Sequence, residues 1–181
     1  MIVIENRRKN ISGLKEKYRG YTILDLTSKS TEKWVKFSPF YPHGNIPVPF
    51  SNLISESVEG IWQGLKVFEN EGIDISSFKI MSMTGIKRTT RKHGRIIGHQ
   101  KGVNSKEILN YTNAKKLIYL PTYKWVLENK LQIELKELRE LLKSTAIVFL
   151  DYNVNTELYN FKPLSHANLV KLYLENNYPN E

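Results

Sequence analysis

Glu59, Gln63 and Lys66 are the residues whose types and spacing could do chemistry. They fall at i, i+4 and i+7, so on an ideal helix a carboxylate, an amide and an ammonium point in nearly the same direction. Such a set can stabilise positive charge at a reacting carbon, orient a hydroxyl and activate water. The commonest use of a polar row of this kind is a solvated face that supports its own helix. Two features argue for more here. Gly60 and Gly64 lie within the same stretch, each costing roughly 1 kcal/mol against alanine in a helix, and their i, i+4 spacing suggests that another segment approaches the backbone closely. Upstream, residues 37–50 carry four prolines and four aromatic residues, which makes a stiff, aromatic-rich segment.

The element that must position these groups is a helix expected over residues 57–72. Ser57 is its expected N-cap and Gly72 its expected stop. Val58, Ile61, Trp62, Leu65 and Phe68 recur at i, i+3, i+4, i+7 and i+10 and form one apolar stripe to be buried. Trp62 separates that stripe from the polar row. Glu59, near the helix N-terminus and within reach of Lys66, is expected to stay ionised at neutral pH.

Phe37-Ser38-Pro39-Phe40-Tyr41-Pro42, followed about fifteen residues on by Ser57-Val58-Glu59 and then Trp62-Gln63 and Lys66, resembles the signature of the NADAR (YbiA-like) family. That resemblance implies a mostly helical α+β fold and N-glycosidase activity. The substrates it implies are phosphoribosyl-amino compounds and ADP-ribose attached to guanine. On this reading Glu59 and Lys66 are catalytic candidates, and Gln63 fixes a ribose hydroxyl; Asp151 is a further catalytic candidate from its place at the mouth of a buried strand, where a turn-forming Asp is the commoner explanation. Phe40, Tyr41, Trp62 or Trp125 offers a flat surface for a base, while Arg88, Arg91 and Arg95 take the phosphates. Neither a metal nor another cofactor is expected. Gly60 and Pro39 stand where the family has His and Asn. They favour an alternative in which the protein binds a nucleotide or ADP-ribose, sequestering it without catalysis.

Charge is concentrated in one place. Of a net charge of +9, eight units lie between Thr84 and Lys116, where nine Lys and Arg residues face a single acid, Glu107. Such a segment attracts polyanions or phosphorylated ligands through a field that salt screens over about 8 to 10 Å. Gly94, Gly98 and Gly102 permit a backbone whose amides face an anion. The segment contains no P-loop and no dinucleotide-binding glycine pattern. A non-catalytic nucleic-acid-binding domain is the other class of reading, although no helix-turn-helix, zinc-finger or RNA-recognition pattern accompanies it. His93 and His99 lack a third nearby ligand for a metal.

At 181 residues, with 40% hydrophobic and 11% aromatic residues, the chain reads as one globular domain of α+β class, predominantly helical with a few short strands. It has no cysteine, which excludes disulfides and a thiolate nucleophile. No apolar run approaches the ~18 residues of a membrane span, and a cytoplasmic setting without membrane attachment is expected. Along the chain, residues 1–20 are expected to be an arm or to hold a short helix near Leu14, 21–27 a strand, and 74–81 a short helix. Ser105 is the expected cap of a helix through Lys116, with an apolar run closed by Pro121 after it. Thr122 then caps a long helix carrying Leu127, Leu131, Leu135 and Leu138. Residues 146–150 form a buried strand with Asp151 at its mouth, 153–163 a polar loop, and Ser165 caps a last helix.

Overall fold

The structure, a computed structural model, describes residues 1–157 and 160–179. In chain order, β1 (Ile2–Asn6), α1 (Ile11–Lys17) and β2 (Thr22–Asp25) come first. Strands β3 (Ile46–Pro47) and β4 (Ile54–Ser55) lead into α2 (Val58–Gly64) and β5 (Lys66–Phe68). Then follow α3 (Thr90–His93), β6 (Ile96–Gln100), β7 (Ile108–Leu109) and α4 (Tyr111–Ala114). A π turn, Lys115–Tyr119, carries α4 into α5 (Leu120–Lys130), and α6 (Gln132–Ser144), β8 (Ile147–Asp151) and α7 (His166–Leu174) complete the chain. The fold is α+β, and no helix among the described residues is long and apolar enough to cross a membrane.

The chain divides into two compact units. The first takes Met1–Ser38 and most of the chain from Leu131 onward. Its centre is β8, paired in parallel with β1 on one side and β2 on the other, so that Ile147 faces both Ile2 and Thr22 in register. A strand covered on both edges and both faces reads as an unbroken apolar run, and every residue from Ile147 to Asp151 is buried. Leu14 of α1 packs on Val148 and Leu150, with Val3 and Ile23 alongside. Of the two expectations for the N-terminal segment, the short helix around Leu14 is the one present, and a strand precedes it. Within that strand Glu5 is a buried carboxylate which, against the opposing effect of burial, is held well below its ordinary range, to about 2, by Lys17, Lys9 and Tyr18.

The second unit spans Pro39–Lys130 and takes in Phe161. Here β5, β6 and β7 form an antiparallel sheet, with a bulge between Val67 and Phe68. The helix expected to run to Gly72 ends at Gly64. Two more distant segments intercept its last carbonyls, since the amide of Asp74 donates to Gly64 at 2.8 Å and that of Gln100 to Leu65 at 2.8 Å. Lys66 leaves the helix and enters β5 opposite His99. The close approach expected at the two glycines is present. A Cβ on Gly60 would lie 2.8 Å from the Ser77 carbonyl oxygen, and one on Gly64 would lie 2.3 Å from the Phe78 ring. Gly60→Ala should therefore lower stability by about 1 to 3 kcal/mol, because the obstacle is backbone and not a side chain that can turn away. Urea unfolding checks this, and an unchanged midpoint would refute it.

Further along, Ile108–Leu109 pairs with β6, so the helix expected from Ser105 starts later, capped by Asn110, whose side chain accepts from the Asn113 amide at 2.9 Å. Pro121 does not close an element. It occupies the second position of α5, after a π turn whose wider spacing accommodates the missing N–H. The long helix expected from Thr122 is two helices, broken at Leu131, where φ is −121° and ψ is 18°. The final helix is capped as expected, with Ser165 Oγ accepting from the Asn168 amide at 3.2 Å. Of the expected polar loop at 153–163, positions 158 and 159 lie outside the described residues.

Candidate active site

Ser57 caps α2 by accepting from the Gly60 amide at 3.0 Å, which fixes the helix start and aims Glu59 and Gln63 inward. The Glu59 amide donates to the Pro39 carbonyl at 2.8 Å, so the proline-rich segment is fastened to the same turn. From this base a hydrogen-bonded chain runs through buried side chains. Gln63 Nε2 donates to Glu59 Oε1 at 2.7 Å, and Lys66 Nζ donates to Gln63 Oε1 at 2.7 Å. The Arg88 amide donates to the same Oε1 at 3.1 Å. With two donors on its oxygen, the Gln63 amide can only present its nitrogen to the carboxylate. Glu59, Gln63 and Lys66 are 7%, 4% and 8% exposed. The convergence expected of a helical row is thus reached with Lys66 arriving from a strand.

Burial dominates the electrostatics. It raises the Glu59 carboxyl above its ordinary range, with the Gln63 hydrogen bond, Lys87 and Lys66 acting in the opposite direction. The helix terminus and Lys66 are expected to favour the ionised form; Lys66 does act in that direction, but burial is the largest influence. Burial also lowers the Lys66 ammonium, to about 8, a drop opposed by Glu59 and reinforced by Arg88 and Lys87. A carboxyl moved up and an amine moved down are groups brought closer to neutrality, where proton exchange is most effective.

Aromatic residues frame this chain. Phe40 carries Lys87 Nζ at 5.4 Å from its ring centre. Trp62 lies against His99, tilted by 32° with 3.8 Å between centroids, and meets Tyr111 and Tyr119 edge-on at 5.8 and 5.6 Å. The Tyr111 hydroxyl is pushed up to about 12 by burial and by the nearby Glu59 charge. His99, paired in register with Lys66, is buried, and neither ring nitrogen has a hydrogen-bond partner. Burial and the Lys66 charge hold its imidazole neutral, down to about 3, against a weak opposing effect of the Trp62 backbone that falls short of hydrogen-bond geometry.

Other expected site residues are placed differently. Tyr41 meets His43 in a tilted contact at 4.8 Å, and Trp125 lies on α5 beneath the Lys130 ammonium at 5.7 Å. Asp151 belongs to the first unit. There its Oδ2 accepts from Ser165 Oγ at 2.8 Å and from the Ala167 amide at 3.3 Å and meets His166 Nδ1 at 3.1 Å, which makes it a cap of α7. Arg88 is not available to phosphates. Its guanidinium donates to the carbonyls of Gln63, Lys66 and Gly72 and pairs with Glu71 at 3.3 Å. Lys115 is likewise buried, donating to the Asn160 carbonyl at 2.6 Å. Arg95 is exposed and meets Glu69 at 3.6 Å; Arg91 is exposed. His93 contacts Glu71. Sequence reasoning missed Tyr111, and it weighed His99 only as a metal ligand. The one local signal for His99 was Ile96-Ile97, a β-branched pair that marks a strand.

An α+β protein with a buried carboxylate–amide–ammonium chain at the junction of a helix and a strand is the class these features define. The chain belongs to DUF6939, a family of unknown function, whose model matches residues 6–170. No curated protein and no solved structure matches it.

Proposed function

We propose that this protein is a hydrolase of N-glycosidic bonds, acting on an N-linked ribosyl phosphate or ADP-ribosyl group such as ADP-ribose on guanine. The observation that carries the reading is the buried Glu59–Gln63–Lys66 chain, with its carboxyl raised and its amine lowered. Breaking a ribosyl C–N bond leaves an oxocarbenium-like carbon, and the bonding pair departs with the nitrogen. Water then adds its oxygen to that carbon. Glu59 in its carboxylate form, made a stronger base by burial, accepts the water's proton and passes it to the departing nitrogen. Gln63 holds the Glu59 carboxylate in place, and Lys66 supplies positive charge to a ribose or phosphate oxygen. The resemblance of Phe37–Pro42 and Ser57–Lys66 to the NADAR signature supports the same reading.

Phosphate recognition falls to Arg91 and Arg95, since Arg88 and Lys115 are engaged internally. The test incubates the purified protein with ADP-ribosylated guanine, ADP-ribosylated DNA and phosphoribosyl-amine compounds and follows released base by chromatography. Release of base supports the reading. Tight binding without release supports the sequestering alternative. In the same series, Arg91→Ala/Arg95→Ala should weaken ADP-ribose binding about tenfold, equivalent to ~1.4 kcal/mol, and flatten its salt dependence. Unchanged affinity and unchanged salt dependence would remove the phosphate assignment.

A further inference from the structure

His99 has no role in the reaction described so far, yet it lies at the centre of the site. Directly opposed residues of an antiparallel pair present side chains to the same face, so His99 stands beside Lys66 and hence beside the Glu59–Gln63–Lys66 chain. The indole of Trp62 covers one face of its ring. At the ring edge, neither nitrogen has a hydrogen-bond partner among the described residues. A buried polar group left unsatisfied destabilises the fold, and a ligand that supplies the missing partner recovers that loss as affinity. An imidazole in its neutral form carries one donor and one acceptor. Its complement is a flat ring with both kinds of group at its edge, as a purine or an aminopyrimidine has. A ribose phosphate, which offers hydroxyls and anionic oxygens, is matched by Lys66 and the exposed arginines instead.

Resting on the N-glycosidase reading, we propose that His99 is the specificity-determining residue for the leaving group, hydrogen-bonding the edge of a heteroaromatic ring seated beside Trp62 and Tyr111. His99 itself is buried, whereas Trp62 and Tyr111 are only partly buried, so the cluster reaches the surface through these two side chains. Tyr111 meets Trp62 edge-on at 5.8 Å and so belongs to the same cluster.

The test measures binding of two probes, guanosine monophosphate and ribose phosphate, by calorimetry in the Glu59→Gln protein, so that neither is consumed. His99→Phe keeps a flat ring against Trp62 and removes both nitrogens. It should weaken guanosine monophosphate about tenfold and leave ribose phosphate within about twofold. His99→Gln, which restores a donor and an acceptor without the ring, should recover part of the lost affinity. A purely structural histidine predicts the opposite ranking, with the Phe variant the better substitute. If both probes bind and their affinity ratio is unchanged in both variants, the assignment of His99 is wrong while the N-glycosidase reading stands. If neither probe binds, the N-glycosidase reading fails and the role of His99 fails with it.

Discussion

Glu59→Gln should abolish turnover while leaving the fold as stable as before. Losing a carboxylate that handles the proton of the attacking water commonly costs on the order of 10² to 10⁴ in rate. The stability side follows from burial. Glu59 is 7% exposed and its carboxyl is raised above the ordinary 4.5, so the folded state holds a proton that the unfolded chain releases. Between 4.5 and the folded value the native state binds more protons, and stability therefore falls as pH rises through that window. Lys66 acts oppositely. Lowered from 10.5 to about 8, its ammonium is lost first in the folded state, so stability rises again between about 8 and 10.5. The wild-type protein should therefore show a shallow minimum in melting temperature between these two limbs. In Glu59→Gln the falling limb disappears, because the amide does not titrate and can still accept from Gln63 Nε2. Lys66 also loses the charge that held it up, so the rising limb begins below pH 8. Melting temperatures across pH, with turnover measured on the same samples, decide the matter. Near neutrality the variant should melt within about 4 °C of wild type, the equivalent of ~1 kcal/mol for a chain of this size. Turnover that survives removes Glu59 from the mechanism, and a falling limb that survives assigns it to another group.

What the sequence makes legible here is what is specified locally. Ser57 and Ser165 announce helix starts because a hydroxyl before an apolar run can satisfy orphan amides within three residues. The run Ala146–Leu150 announces a doubly covered strand by its lack of any polar residue. Gly60 and Gly64 announce a close neighbour because nothing else accounts for two poor helix formers on one face. The end of α2 is not legible, because it is set by the amides of Asp74 and Gln100, the latter 35 residues beyond Leu65. Val58, Ile61, Leu65 and Phe68 are buried whether the chain continues as helix or turns into β5, so hydrophobic periodicity cannot distinguish the two. The polar row survives this change because Gln63, at the helix end, reaches both ways. The break at Leu131 escapes notice for the same reason: Leu127, Leu131, Leu135 and Leu138 are all buried on either side of it. Charge counting fails at Arg88 and Lys115, since a formal charge reveals nothing of whether its side chain faces water or a set of carbonyls.

Arg88→Ala should be the most destabilising single substitution in the second unit. The guanidinium is buried and gathers elements that are adjacent in space but not in sequence. Nη1 donates to the Lys66 carbonyl at 2.7 Å and to the Gln63 carbonyl at 3.2 Å, and Nη2 donates to Gly72 at 2.8 Å. Two of these acceptors lie where α2 gives way to β5, a place where orphan carbonyls need donors and where the helix dipole favours a cation. Its carbon also lies 4.8 Å from the centre of the Phe68 ring. Truncation removes the guanidinium from three carbonyls, of which Gln63 keeps the Leu65 amide, and leaves a cavity beside Phe68, so the expected loss is about 3 to 5 kcal/mol, or roughly 6 to 20 °C in melting temperature. Arg88→Lys should recover only part of this, because one ammonium on a flexible stem cannot reproduce the planar fork that serves three acceptors at once. There is an electrostatic consequence as well. Arg88 helps to hold the Lys66 ammonium down at about 8, so its removal should move that titration upward and shift the alkaline rise in stability to higher pH. Thermal and urea unfolding of the wild type and both variants, repeated across pH, give the two readouts separately. A melting temperature within about 2 °C of wild type in Arg88→Ala would mean that the guanidinium is dispensable at the end of α2. An alkaline limb that stays in place would mean that its charge does not reach Lys66.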